Sequence, residues 1–370
     1  MKFVDEYRQP EHCQRLLNEI RQTATRQWTL MEVCGGQTHG LLRYGIDTAL
    51  DGVVRLIHGP GCPVCVTPLE AIDMAIGLAR RPGVTMASFG DMLRVPGSKE
   101  SLLQARADGA NVHIVYSPLD AVRFAQQHAD RQVVFFAVGF ETTAPATALA
   151  IQQAGELDLK NFSLLVSHVR VQPAMEMLAG SDDCSVQGFL AAGHVCTVAG
   201  YGSYRQFVEK YRLPVVVTGF EPVDLLMGIL ECVRQLECDT AEVVNCYSRS
   251  VAAPGNECAL AIMDDVYEIC DQSWRGLGVV PGGGFRIRSK WSQFDAAKRF
   301  GESAAVGQEC TECRSGDVLT GKIKPTECAH FGVRCTPDSP LGAPMVSAEG
   351  ACAAYYRYSP RGACAATHAN

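Results

Sequence analysis

The sequence predicts an α/β protein: two similar parallel-sheet units followed by a small cysteine-rich domain at the C-terminus. Three observations carry this. Apolar, β-rich runs alternate with helical stretches, the signature of parallel strands joined by covering helices. One pattern, a β-rich run, a glycine turn with an acidic residue and then a helix, recurs at Val84 to Asp91, Val133 to Glu141 and Val215 to Glu221. Past Gly255 the apolar runs shorten and Gly, Pro, Ser and Cys take over.

In chain order, Pro10 to Gln22 reads as a helix with Leu16, Leu17 and Ile20 on one face. Thr29 to Val33 and Val53 to Ile57 read as buried strands, each ending in a glycine-rich turn. Thr67 and Pro68 then read as N-cap and first residue of an amphipathic helix. A second unit begins near Arg131, with further strands at Phe162 to Val166 and Ala241 to Val244. Glu257 to Cys270 reads as a helix, and Pro281-Gly-Gly-Gly-Phe285 as a flexible turn, since it lacks the Lys-Ser/Thr of a phosphate loop. The expected domains are 1–125, 126–250 and 251–370.

Of the 370 residues, 47% are hydrophobic and 20% charged, with a net charge of −7 and basic residues scattered along the chain. That excludes a nucleic-acid footprint. No apolar run approaches a membrane span and the N-terminus lacks a signal-peptide core, so a cytoplasmic location is expected. In that compartment structural disulfides are rare, so 17 cysteines point to metal or redox work.

Three of them sit in the two early turns: Cys34 in Glu32-Val-Cys-Gly-Gly-Gln-Thr-His39, and Cys62 and Cys65 in His58-Gly-Pro-Gly-Cys-Pro-Val-Cys65. Glycine lets the backbone bend sharply and should leave the thiols presented at the mouth of the loops. The pair lies near a helix N-terminus, where partial positive charge favours thiolate. Loops after neighbouring parallel strands share one edge, so Cys34 is expected to approach Cys62 and Cys65. Three thiols there suit an iron ion, or one suits attack on a disulfide of the other two; half of a structural zinc site is the plainer alternative. His39 is a candidate proton donor or ligand, or merely orients its loop.

Cys310, Cys313, Cys328, Cys335, Cys352 and Cys364 crowd the tail. Four thiolates close a cluster or zinc site, and the spacings match no zinc ribbon, which favours a 4Fe-4S cluster over zinc on Cys313, Cys328, Cys335 and Cys352, with Cys310 and Cys364 in reserve. Asp91, Glu141 and Glu221 end strands and either face a shared cleft or cap nearby amides.

The motifs Cys34-Gly-Gly-Gln-Thr-His39, Gly59-Pro-Gly-Cys-Pro-Val-Cys65, Phe89-Gly-Asp-Met-Leu-Arg-Val-Pro-Gly97, Gly139-Phe-Glu-Thr-Thr-Ala-Pro145, Gly193-His194, Gly219-Phe-Glu-Pro222, Trp274-Arg-Gly-Leu-Gly278 and Ser347-Ala-Glu-Gly-Ala-Cys352 run in order along nearly the whole chain. In this the chain resembles the HypD family of nickel–iron hydrogenase maturation factors. The resemblance implies a cytoplasmic scaffold on which the Fe(CN)2CO group is built, in complex with a HypC-type chaperone and with cyanide delivered through HypE and HypF. It implies Cys34, Cys62 and Cys65 as the iron and redox site, His39 as functional, and a tail 4Fe-4S cluster that feeds electrons to the thiol pair. The family commonly has cysteine just before the Gly316-Asp-Val-Leu319 run; here Ser315 stands there, and Cys313 is taken as the ligand, with Cys310 beyond it. The rival expectations are an iron–sulfur thiol–disulfide oxidoreductase acting on a protein disulfide, and a structural scaffold with zinc in the tail.

Overall fold

The computed structural model describes residues 5–301 and 312–359, so Cys310 and Cys364 lie outside the described residues. In chain order the strands are β1 (Trp28–Glu32), β2 (Val54–His58), β3 (Val84–Ser88), β4 (Val112–Ile114), β5 (Gln132–Gly139), β6 (Phe162–His168), β7 (Gly188–Ala192), β8 (Val215–Thr218), β9 (Val243–Asn245), β10 (Tyr267–Trp274) and β11 (Gly278–Ile287). Two parallel sheets form, as expected: one of five strands in the order β2-β1-β7-β8-β9, the other of four in the order β4-β3-β5-β6.

Alternation along the strands divides the core. On the five-stranded sheet Leu30, Leu56, Leu190 and Val216 face the helices Pro10–Thr23 and Pro222–Glu237, whereas Met31, Phe189, Ala191 and Val217 face the other way, against Phe140, Val169 and Trp274. All of these are at most 5% exposed, and each large one contributes roughly 1.5–3 kcal/mol by leaving water. Strands β3, β7 and β8 are buried throughout and so show no apolar/polar alternation.

The linear division at 125 and 250 is not how the sheets are built. β1 and β2 join β7, β8 and β9, and the four-stranded sheet, residues 84–168, is set between them. The linking strand β7, Gly188-Phe-Leu-Ala-Ala192, carries no β-branched residue, and so it escapes a propensity reading.

The third boundary shifts as well. The helix expected over Glu257 to Cys270 stops at Val266, and Tyr267 begins β10. Pro281 to Phe285 is no flexible turn but part of β11, antiparallel to β10. The hairpin is a two-stranded sheet of its own that packs on both others: the Arg170 amide donates to the Gly283 carbonyl at 2.9 Å, Tyr267, Phe285 and Ile287 share a core with Phe135, Phe162 and Leu164, and Trp274 and Val280 share one with Met31 and Phe189. Residues 312–359 reach both sheets: Ala343 and Val346 share a core with Met86, Val134 and Phe136 of the four-stranded one, and other residues lie beside β2 and the thiol loops of the five-stranded one. There Lys324 pairs with Asp47 at 3.1 Å, and Gly321 leaves no room for a Cβ beside Ile57.

Candidate functional site

The five-stranded sheet reverses its winding between β1 and β7, so a crevice opens above their carboxyl ends, where open α/β sheets place ligands. Cys34 follows β1 directly and is the N-cap of the helix Gly35–Arg43. Cys62 follows β2 and is the N-cap of a single turn, Pro63–Val66, its sulfur accepting from the Cys65 amide at 3.3 Å. The expected N-cap at Thr67 belongs one residue on: the helix Leu69–Ala79 is capped from Pro68. The two thiol loops touch, since the Gly35 amide donates to the Gly61 carbonyl at 2.9 Å. The loops are therefore adjacent, as parallel pairing predicts, although Cys34, Cys62 and Cys65 are not gathered as a single-ion site.

Cys62 and Cys65 are joined as a disulfide with their Cα atoms 5.3 Å apart. They are 3% and 1% exposed, so they are packed beneath the loops and not presented at the mouth as expected. Cys34 is a free, partly buried thiol. Despite its place at a helix N-terminus, burial pushes it up to about 12, reinforced by the Glu32 carboxylate. It holds its proton at neutral pH until a cation displaces it.

Glu32 itself was not singled out by the sequence. Fully buried, its carboxylate accepts from the Cys34 amide at 2.8 Å, from the Thr38 hydroxyl, and from His58 Nδ1 at 2.8 Å. His58 Nε2 lies 3.1 Å from the Tyr355 hydroxyl, which also donates to Asp47 at 3.3 Å. The signal was available: Glu32 and His58 are register partners on β1 and β2, a buried acid beside a buried imidazole just before the two cysteine loops. His39, in the helix Gly35–Arg43, lies 3.0 Å from the Tyr358 hydroxyl through Nε2, and burial together with Arg357 and Arg43 holds it below the ordinary histidine range. It is neutral at pH 7, able to accept or to ligate.

The acidic residues do not share a cleft. Glu221 caps the helix Pro222–Glu237 and pairs with Arg8, Asp91 lies 4.0 Å from Arg94, and Glu141 accepts from the Val171 amide at 3.1 Å. Burial dominates at Glu141 over that bond and the nearby Arg170, and raises it to about 7. Cys196, hydrogen-bonded to Tyr204, is raised to about 12 by burial and then by Glu141.

In the tail, Cys313, Cys328, Cys335 and Cys352 line one small void with Val318, Phe331, Leu341 and Met345. Among the described residues no three His, Cys, Asp or Glu side chains are gathered as a single-ion site. The donor chemistry suits a cluster: burial drives Cys352 well above the ordinary thiol range, and Cys313, Cys335 and Cys328 each add to it, so thiolates accumulate there only against a shared positive charge. The Leu341 amide approaches Cys335 Sγ at 3.4 Å, a bond of the kind that tunes cluster sulfurs. Ser315 is buried against this void, and Cys313 lines it alongside.

Among the described residues no helix is long and apolar enough to cross a membrane. The chain matches the family model described as HypD, hydrogenase formation, over residues 11–359. It is 48% identical over 367 residues to the hydrogenase maturation factor HypD of Azotobacter vinelandii, covering 97% of both chains. It is 46% identical over 371 residues to the Rhodobacter capsulatus factor of that name, covering 97% of this chain and 98% of the relative. Against the Escherichia coli K12 factor the identity is 45% over 368 residues, covering 97% and 98%. Matched by the family model over residues 11–359 and 45–48% identical to these relatives over 97% of its length, the chain belongs to the HypD family of hydrogenase maturation factors.

Proposed function

We propose that the chain is the scaffold and redox partner for assembly of the Fe(CN)2CO group of nickel–iron hydrogenase, acting in the cytoplasm with a HypC-type chaperone and receiving cyanide through HypE and HypF. The observation that supports this reading is that a free Cys34 thiol and the Cys62–Cys65 disulfide sit on touching loops at the sheet's switch point. Iron is the cargo. Two electrons and two protons convert the disulfide to two thiols, and together with Cys34 these offer a soft sulfur donor set to iron. Glu32 holds the Cys34 amide, and His39, on the helix that Cys34 caps, serves as a neutral base.

The tail residues Cys313, Cys328, Cys335 and Cys352 are the proposed holders of a 4Fe-4S cluster, which when bound supplies single electrons for the disulfide. Burial of Cys62 and Cys65, residues 3% and 1% exposed, weighs against the thiol–disulfide oxidoreductase, because a bulky protein disulfide would have to reach them beneath the loops.

The test is the infrared spectrum of the protein purified anaerobically with its HypC-type partner. Bands of metal-bound CO and cyanide are expected, to be lost in Cys34→Ala while the visible absorbance of the tail cluster persists. An iron-loaded, cluster-intact complex without such bands would overturn the scaffold reading.

A further inference from the structure

The helix Ala351–Tyr358 carries three residues that face the functional centres. Cys352 lines the four-cysteine void, Tyr355 reaches His58, and Tyr358 reaches His39. Tyr355 is 4% exposed and its ring packs edge-on against His58 at 5.3 Å between centroids. His58 immediately precedes the Gly59 to Cys65 loop, and its other nitrogen holds Glu32, which holds the Cys34 amide. A continuous path of buried and part-buried hydrogen bonds thus leads from one turn past a tail cysteine to both thiol loops.

From this path we infer that Tyr355 is a positioning residue that couples the tail cysteines to the redox state of the Cys62–Cys65 pair, with Tyr358 fixing His39 in parallel. This rests on the reading that the four tail cysteines hold iron. Filling the void fixes Cys352 and therefore the helix, and the helix sets the loops through the hydroxyl of Tyr355. The hydroxyl adds nothing to the hydrophobic packing of the ring, so Tyr355→Phe removes the link and keeps the core. His58→Asn is the complementary change: its shorter side chain retains a donor for Glu32 and no longer reaches Tyr355.

The test is a thermodynamic cycle on the full chain in anaerobic dithiol redox buffers, which supply the two electrons and two protons that open the disulfide. The midpoint of the Cys62–Cys65 couple is measured in the wild type and in Tyr355→Phe, each with tail iron present and after its removal by chelation. In the wild type, removing tail iron is expected to change the equilibrium constant at least tenfold, about 30 mV for a two-electron couple. In Tyr355→Phe, and in His58→Asn should the first variant fail to fold, the change should fall below twofold with iron content unaltered. Equal shifts in wild type and variants, or an iron-loaded wild type that shows no shift, overturn the inference alone. A tail that takes up no iron overturns both it and the reading beneath it.

Discussion

Gly61 lies so close to Cys34 that a Cβ on the glycine would overlap the Cys34 backbone nitrogen and the Val33 carbonyl carbon. No side chain fits between the two thiol loops. Gly61→Ala is therefore expected to push them apart at about 1–3 kcal/mol in stability. Infrared bands of bound CO and cyanide should disappear while tail iron, assayed chemically, stays at the wild-type level.

The Cys62–Cys65 bond closes a loop of three residues in sequence separation. Loop-closure entropy for so short a ring gives only about 2 kcal/mol. Cys62→Ser together with Cys65→Ser should fold, with a denaturant midpoint lowered by that modest amount. A collapse of the fold would show the pair to be a structural staple.

Glu141 and His168 predict opposite slopes of stability against pH. His168 is fully buried, its imidazole held down to about 3 by desolvation, whereas Glu141 is raised to about 7. The unfolded chain binds a proton at His168 below about pH 6.5 that the folded chain refuses, so this contribution is present above 6.5 and lost as pH falls. The folded chain keeps a proton at Glu141 that the unfolded chain releases above about pH 4.5, so that contribution is lost as pH rises to 7. Between roughly pH 4.5 and 6.5 the two nearly cancel. Urea titrations across this window should show stability rising with pH in Glu141→Gln and falling with pH in His168→Gln, by about 1.4 kcal/mol per pH unit at most.

Gly342 faces Cys313 so closely that a Cβ there would overlap its sulfur. Gly342→Ala is expected to displace this one thiol and leave Cys328, Cys335 and Cys352 in place. Iron and sulfide bound to the anaerobic protein should drop by half or more, and Gly332→Ala, at a turn with no neighbour within reach but a φ of +71°, should lose about 1 kcal/mol of stability with iron retained.

Much of the site was legible because the chemistry is local to each motif. Cys34 and the Cys62/Cys65 pair follow β1 and β2 directly, and parallel pairing of sequential strands brings their loops together without further information. What was not legible is what depends on distant partners. Nothing near Gly188 announces that β7 completes the sheet begun 160 residues earlier at Trp28, because an alanine- and glycine-rich strand buried on both faces carries neither alternation nor β-branched residues. The link from Glu32 through His58 to Tyr355 was hidden for the same reason: a tyrosine in a short C-terminal helix looks like packing until the fold sets it beside an imidazole. Burial also reversed an electrostatic expectation. A helix N-terminus favours thiolate at Cys34, but desolvation and Glu32 outweigh it.

The interleaving of the two sheets has a consequence for synthesis. The four-stranded sheet is complete by His168, but the five-stranded sheet cannot close until Asn245 has left the ribosome. At about 5–20 residues per second, β1 and β2 wait many seconds for β7 to β9. Through that interval Cys34, Cys62 and Cys65 ride on an unfinished sheet, open to oxidants and stray metal ions. The buried position they finally occupy is reached only after β9 is made, so these sulfurs are more accessible during synthesis than in the finished fold.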